Sequence, residues 1–135
     1  AIDMAVSAYQ RDGGLSGIST GLRDVDRSMG GLQRSDLLVL AGRPAMGKTS
    51  LATNIAFNIA KAWRGERQED GSFKSVDGGV VGFFSLEMSS DQLATRIVAE
   101  QSGISSYKIR QGRITEADFA RITDVAAQIE KLPLY

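Results

Sequence analysis

Residues 42–49 have the types and the spacing of a phosphate-binding loop. They read Gly-Arg-Pro-Ala-Met-Gly-Lys-Thr, which satisfies the pattern G-x-x-x-x-G-K-[ST]. The glycines allow backbone N–H groups to wrap a phosphate chain at the positive end of a helix dipole. Lys48 adds a mobile charge that can follow the β- and γ-phosphates, and the Thr49 hydroxyl is placed to ligate Mg²⁺. The segment therefore predicts binding of ATP or ADP with Mg²⁺.

The predicted nucleotide site extends over the whole loop and into the next helix. Arg43 has two interpretations, since it either touches the nucleotide or a neighbouring subunit, or is a solvated loop residue. Lys48 is also a predicted catalytic residue, and Thr49 is the predicted magnesium ligand. The predicted ATP-binding residues are Gly42, Arg43, Pro44, Ala45, Met46, Gly47, Lys48, Thr49 and Ser50.

Glu87 is the second candidate for chemistry. It comes directly after the apolar run 80–86, so we expect it at the carboxyl end of a strand, where ligands bind in open α/β sheets. A carboxylate there can orient and polarise an attacking water, and the chain has no histidine to compete for that role. The alternative is a carboxylate that precedes a helix and has no catalytic part. Spacing alone does not separate the two.

Composition narrows the chemistry further. A chain of 135 residues with 42% hydrophobic and 24% charged residues is typical of one globular domain. The absence of Cys and His excludes disulfides, thiol nucleophiles and histidine acid-base catalysis. Sixteen basic and sixteen acidic residues cancel, so we expect a DNA-binding surface to be weak here or to lie elsewhere. Neither a signal peptide nor a membrane span is visible, which predicts a cytoplasmic protein.

Elements on both sides must position the loop. Residues 37–40 have the length and composition of a buried strand, residues 51–62 show helical periodicity, and residues 80–84 predict a second buried strand. Continuous apolar strands separated by a helix favour an α/β fold with a parallel sheet covered on both faces. Two strands are fewer than such a sheet needs, so we expect the chain to be incomplete on its C-terminal side. Small residues form a second stripe on the helix: Ala52, Ala56 and Ala60.

Two later helices carry start signals. Residues 89–92 and 115–118 have capping-box spacing, and we expect Gly103 and Pro133 to end the helices that they open. Between them and the first helix, residues 64–79 turn polar and glycine-rich, which predicts a solvent-exposed insertion. The predicted core-facing residues are Leu93, Ile97 and Val98 in the first helix and Phe119, Ile122, Ala126 and Ile129 in the second.

The N-terminal residues predict a short amphipathic helix over 2–9, which we expect Gly13 and Gly14 to end. A terminal helix of this kind is either a frayed end or an arm that docks on a partner. The residues on its apolar face are Ile2, Ala5, Val6 and Tyr9.

Three segments together resemble the signature of bacterial replicative DNA helicases of the DnaB type. Residues 18–32 contain Ile-Ser-Thr-Gly and then Gly-Gly-Leu, the loop has the form Arg-Pro-x-Met-Gly-Lys-Thr, and residues 83–88 read Phe-Phe-Ser-Leu-Glu-Met. The pairing of the last two is the most specific element, and the similarity covers almost the whole chain. It continues through Gln92, Leu93, Arg96, Ile109, Gly112 and Leu132 to Leu134.

The resemblance implies a RecA-like P-loop core in a homohexameric ring that couples ATP hydrolysis to movement along single-stranded DNA. It implies that Glu87 is the catalytic carboxylate. It also implies that residues 1–14 form a linker helix that docks on the adjacent subunit, and that residues 15–135 form the N-terminal half of the ATPase domain. The second magnesium-site acid, the arginine finger and the DNA loops would lie beyond Tyr135. Primase and a helicase loader are the further partners that it implies.

Two other functions stay open at this point. Another RecA-like ATPase, of the recombinase or clock type, would share the Gly-Ile-Ser-Thr-Gly segment at 17–21, although residues 83–88 favour the helicase. A nucleotide-gated assembly module would bind ATP and a partner subunit without turnover. That function suits the isolated chain, which we expect to be inactive by itself because it lacks the second half of the site. The insertion 64–79 is longer than the resemblance predicts.

Overall fold

The computed structural model describes residues 2–10 and 14–135. Within these ranges the chain forms six helices and a two-stranded antiparallel sheet. None of the described helices is long and apolar enough to cross a membrane. In chain order the elements are α1 (Ile2–Gln10), α2 (Arg23–Met29), α3 (Lys48–Ala62), β1 (Arg64–Arg67), β2 (Phe73–Asp77), α4 (Ser90–Ser102), α5 (Ser106–Gln111) and α6 (Glu116–Glu130).

The helix that follows the phosphate-binding loop forms the centre of the core. The predicted stripe of small residues on α3 is confirmed, since Ala56 and Ala60 are buried, whereas Leu51 and Ile55 are only half-buried. Short side chains let neighbouring elements approach a helix closely. The buried apolar residues of the described chain are Ala56, Phe57, Ile59, Ala60, Ile97 and Ile104.

Both predicted capping boxes are present. The Ser89 hydroxyl accepts a hydrogen bond from the Gln92 N–H, and the Gln92 side chain accepts one from the Ser89 N–H, so α4 begins where the sequence predicts. Thr115 and Asp118 make the same reciprocal pair before α6. Gly103 ends α4 in the left-handed conformation, with φ of 70°.

The predicted core face of α6 is only partly correct. Ile122 and Ile129 are half-buried, but Phe119 is 60% exposed and Ala126 is also exposed. The reason is that α6 packs mainly on α4, so only a narrow side of the helix is covered. Periodicity predicts that a helix has an apolar side, but not how wide its partner is.

A buried carboxylate holds the segment before the loop. Asp26 of α2 accepts hydrogen bonds from Ser19 Oγ at 2.6 Å, from the Thr20 N–H at 2.8 Å and from Thr20 Oγ1 at 2.7 Å. These bonds, the one from Ser19 above all, hold the pKa of Asp26 below its ordinary value although desolvation opposes them. The Thr20 carbonyl accepts from Asn58 Nδ2 at 3.1 Å. The segment is thereby tied to α3.

Residues 64–79, predicted to be a solvent-exposed insertion, form a β-hairpin. Strands β1 and β2 pair antiparallel with Arg67 opposite Phe73, and the residues of both are almost all exposed. The indole Nε1 of Trp63 donates to Ser75 Oγ at 3.1 Å and anchors the hairpin to the end of α3. The predicted exposure is confirmed. The strands themselves were not predicted, because their polar composition hides the alternation that marks a half-buried strand.

The predicted buried strand at residues 37–40 is wrong for this structure. No strand pairs with it among the described residues, and Leu37 and Val39 are 88% and 83% exposed. An apolar run becomes a buried strand only where a hydrogen-bonded neighbour and a covering layer lie beside it.

The second predicted strand makes a short parallel pairing. The Val81 N–H donates to the Pro133 carbonyl, the Phe83 N–H to that of Tyr135, and the Tyr135 N–H back to that of Val81. The bridge between Val81 and Leu134 is parallel. The predicted parallel pairing is thus present at residues 81–83, although the segment is only half-buried there.

Candidate functional site

The phosphate-binding loop enters α3 through two residues with left-handed backbone. Ala45 has φ of 62° and Gly47 has φ of 88°. The helix begins at the next residue, Lys48, and the Leu51 N–H donates to the Gly47 carbonyl at 2.9 Å. Positive φ at Gly47 favours glycine, which explains the second glycine of the motif. The N–H groups of the first turn have no helical acceptor and point into the space before the helix.

Lys48 lies back across the loop. Its Nζ donates to the Gly42 carbonyl oxygen at 2.7 Å, and its side chain is otherwise exposed. Gly42 leaves room for the lysine stem, because a Cβ there would stand 3.5 Å from Lys48 Cγ and Cδ. An ammonium group has three donors, so the bond to Gly42 leaves two for an anion.

Most of the predicted site residues come together in one open cleft of about 530 Å³. Glu87, Met88 and Arg96 line this nucleotide cleft together with the loop and the first turn of α3. Gly42 and Arg43 line an adjoining cleft of about 520 Å³, and Lys48 borders both. The predicted residues in the nucleotide cleft are Pro44, Ala45, Met46, Gly47, Lys48, Thr49, Ser50 and Glu87.

A bend after the parallel pairing places Glu87. The Ser85 hydroxyl accepts a hydrogen bond from the Met88 N–H at 3.0 Å, which stabilises the bend. Glu87 is exposed and borders the nucleotide cleft. Sequence reasoning placed this carboxylate beside the loop, and the structure does so too. Its position there permits contact with a bound nucleotide or water.

Another cavity, of about 410 Å³, lies among α3, α4, α6 and residues 83–85. Its lining is mostly apolar and contains no charged side chain. The chemistry of phosphate binding needs charges and convergent N–H donors. The open cleft beside the loop is therefore the candidate site, and the apolar cavity is a gap in the core.

Arg96 of α4 is a residue of the cleft that no chemical motif indicated. Its Nη1 donates to Ser50 Oγ at 3.1 Å, and the side chain is half-buried. Ser50 is held in turn, since its carbonyl accepts from Thr53 Oγ1 at 3.0 Å and from Asn54 Nδ2 at 2.9 Å. The available signal was the capping box at Ser89, which places Arg96 about two turns along its helix. Which face of α4 meets α3 depends on tertiary packing, which that signal does not contain.

Glu100 lies one turn beyond Arg96 on the same helix. Desolvation raises the pKa of Glu100, while the positive charge of Arg96 and a hydrogen bond with Asn54 oppose the rise. Arg96 thus has a hydroxyl partner on α3 and a carboxylate neighbour on α4. Both keep the guanidinium at the interface between the two helices.

The chain matches the family model described as "DnaB-like helicase C terminal domain" over residues 17–135. It is 44% identical over 119 residues to the replicative DNA helicase DnaB of Rickettsia bellii (strain RML369-C) and 39% identical over 127 residues to that of Treponema pallidum (strain Nichols). These alignments cover 88% and 94% of this chain, and 23% and 26% of the two relatives. The chain therefore spans about a quarter of the length of these curated relatives.

Among solved structures, the fold is similar to that of a helicase ATPase domain, with a TM-score of 0.77 and 26% sequence identity. The likeness covers 99% of this chain and 44% of that chain. It confirms the predicted fold class, an α/β core of the RecA-like ATPase type.

Proposed function

The chain belongs to the DnaB-like helicase C-terminal domain family, and from that premise we propose that it is the nucleotide-binding part of an ATP-driven replicative DNA helicase. The observation that carries the proposal is the single cleft shared by the phosphate-binding loop and Glu87. The names of the relatives, replicative DNA helicases, support the same activity. Because the chain spans only part of their length, the helicase activity is proposed for the full-length protein.

ATP would bind with its phosphates at the start of α3. The N–H groups of residues 44–50 would surround the phosphate chain, at the positive end of the helix dipole. Lys48 would exchange the Gly42 carbonyl for β- and γ-phosphate oxygens. Since its Nζ donates to a carbonyl beside the cleft, this exchange needs only a rotation of an exposed side chain.

Thr49 fits the role of magnesium ligand, because its hydroxyl belongs to a residue that lines the cleft. No group of three acidic side chains that could hold a metal occurs in the part of the chain that the structure describes. The other ligands of Mg²⁺ would therefore be phosphate oxygens and water, as is usual for this ion. Bound Mg²⁺ supplies neutralisation of the phosphate charge.

Glu87 would orient the attacking water and accept its proton. A carboxylate suits this role because it keeps an acceptor directed at the water while phosphoryl transfer proceeds. Lys48 would stabilise the negative charge on the transferred phosphoryl group. Its bond to Gly42 and the position of Glu87 in the same cleft support this division of roles.

We place the subunit contact of the proposed homohexamer at residues 1–14, as a linker helix separate from the ATPase part at 15–135. Support comes from α1, where Ile2 and Tyr9 are 79% and 93% exposed and Val6 is exposed as well. Covering them would contribute about 1.5–3 kcal/mol for each large side chain fully removed from water. Gly13, one of the two residues predicted to end this helix, lies outside the described residues.

Single-stranded DNA would contact regions outside residues 1–135. The formal net charge of zero supports this placement, since a surface that binds DNA by itself needs clustered basic residues. Primase and a helicase loader are the partners proposed from the family, and the cytoplasm is the proposed site of action.

For the 135-residue chain alone, a nucleotide-gated assembly module without turnover is the second candidate. The exposed apolar segment 37–40 favours it, because an apolar patch beside the loop is suited to contact with another protein surface. A recombinase or clock-type ATPase is not proposed, since the family model matches residues 17–135.

Substitution of the loop lysine tests the proposal. In the full-length protein, Lys48→Ala should weaken binding of Mg-ATP by about 100-fold, because charge-assisted hydrogen bonds to phosphate are lost. Isothermal titration calorimetry measures the affinity. Lys61→Ala is the matched control, since Lys61 is an exposed lysine in the last turn of the same helix. Equal affinities for Lys48→Ala and the unmodified protein would overturn the assignment of the loop.

A further inference from the structure

The nucleotide cleft contains a second cation besides Lys48. Its charged lining residues are Lys48, Glu87 and Arg96. Lys48 and Arg96 come from different helices, so the cleft has one positive side chain from α3 and another from α4. The proposed role of Lys48 leaves the second cation without a function.

Contacts on both sides hold Arg96 in place. The hydrogen bond to Ser50 Oγ at 3.1 Å uses one of the five N–H donors of the guanidinium. Ser50 directly follows the proposed magnesium ligand Thr49, so this bond brings the guanidinium to the first turn of α3. Glu100, one turn along α4, interacts with its charge. A guanidinium fixed in this way loses little conformational entropy when it binds an anion.

We infer that Arg96 is a second phosphate-binding residue of the nucleotide cleft, anchored by Ser50 and directing its other N–H donors to the phosphates of bound ATP. The inference rests on the proposed nucleotide binding. Arginine suits the role because its planar fork matches the geometry of phosphate oxygens, and because it stays charged at every physiological pH. Lys48 would act from α3 and Arg96 from α4.

An alternative role for Arg96 is structural, as a clamp between α3 and α4. Two substitutions separate the roles. Arg96→Gln keeps a donor for Ser50 but removes the charge, whereas Ser50→Ala removes the anchoring hydroxyl but keeps the charge. The matched control is Arg110→Gln, because Arg110 is exposed and shares with Arg96 a smaller cleft of about 210 Å³ that contains no loop residue.

The experiment is calorimetric titration of the full-length protein with Mg-ATP, at several salt concentrations. Arg96→Gln should bind about tenfold more weakly, and Arg96→Lys should recover part of the loss, since one charge-assisted contact is removed or weakened. The affinity of the Arg96→Gln variant should also depend less steeply on salt than that of the unmodified protein. Ser50→Ala should cost less than Arg96→Gln, and Arg110→Gln should bind normally.

Each outcome decides one question. If Arg96→Gln binds Mg-ATP as well as the unmodified protein does, with the same salt dependence, Arg96 is not a phosphate ligand. If Ser50→Ala and Arg96→Gln weaken binding equally, and Arg96→Lys recovers nothing, the role is that of a clamp and the inference is overturned. Failure of the proposed function looks different, because then the unmodified protein would not bind Mg-ATP or Lys48→Ala would bind it normally.

Discussion

The carboxylate of Asp26 is expected to stabilise the fold through its charge. Asp26→Asn keeps the size of the side chain and one carbonyl oxygen for the two bonds from Thr20, but replaces the other oxygen by an amide that faces Ser19. Three hydrogen bonds to a buried carboxylate, at 2.6 to 2.8 Å, lose their charge. Because Thr20 also binds Asn58 of α3, the substitution loosens the segment that leads to the loop.

The magnitude follows from the number and type of these bonds. Hydrogen bonds to charged groups contribute about 1.5–3 kcal/mol each and neutral ones about 0.5–1.5 kcal/mol. With the Ser19 bond reversed and the Thr20 bonds kept in neutral form, we expect a loss of about 2 kcal/mol in the free energy of unfolding. For a chain of this size that is a fall in Tm of about 8 °C. Asp26→Ala should cost more, since it leaves the buried Thr20 N–H without an acceptor.

The effect should depend on pH with a defined sign. The pKa of Asp26 is lowered in the folded protein from its ordinary value of 3.8, chiefly by the bond from Ser19. A group with a depressed pKa contributes its full stability above the unfolded value and loses it as pH falls through the folded value. The difference between the protein and Asp26→Asn should therefore be constant at neutral pH and shrink in acid, below pH 3.8.

Urea denaturation followed by circular dichroism, at neutral pH and at several acid pH values, measures this difference. The matched control is Asp24→Asn, which removes the same charge from an exposed position in the first turn of α2. The control should change stability by at most about 0.5 kcal/mol. If Asp24→Asn and Asp26→Asn destabilise equally, or if the cost of Asp26→Asn does not shrink in acid, the charge of Asp26 is not what holds this segment.

Two further predictions concern assembly and DNA. In the full-length protein, Val6→Asp combined with Tyr9→Asp should weaken the hexamer in sedimentation velocity experiments while nucleotide binding persists, because charges enter an apolar contact; Asp3→Asn on the same helix is the control, and an unaffected hexamer would identify α1 as a frayed end. The 135-residue chain should bind single-stranded DNA only weakly in fluorescence anisotropy, because its net charge is zero. Tight, salt-sensitive binding would show that the DNA surface lies within this chain.

What could be predicted from the sequence was local in the chain. The loop at 42–49 has a motif in which each residue type answers a backbone or phosphate requirement, and the structure shows the matching turn at Gly47. The capping boxes at Ser89 and Thr115 join residues three apart, so both helix starts were predicted correctly. Glu87 was placed by its position after an apolar run, and it does border the cleft.

What could not be predicted depends on contacts between distant segments. Residues 37–40 have a strand-like composition, but a strand also needs a neighbour that composition does not provide. Helix α2 was missed because its sequence is polar and its key contact is the burial of Asp26 under Ser19 and Thr20. Arg96 enters the cleft through the packing of α4 on α3, a relation between residues 46 positions apart.

The most direct test of the motor assignment is ATP turnover by the full-length protein with Glu87→Gln, beside calorimetric affinity for Mg-ATP. The amide keeps the shape of the side chain but neither accepts a proton nor carries charge, so turnover should fall by about 100-fold or more while affinity stays within about twofold. Glu66→Gln, an exposed glutamate of the hairpin, should change neither. Full turnover by the Glu87→Gln variant would contradict the account, because the cleft would then hydrolyse ATP without the carboxylate proposed to activate the water.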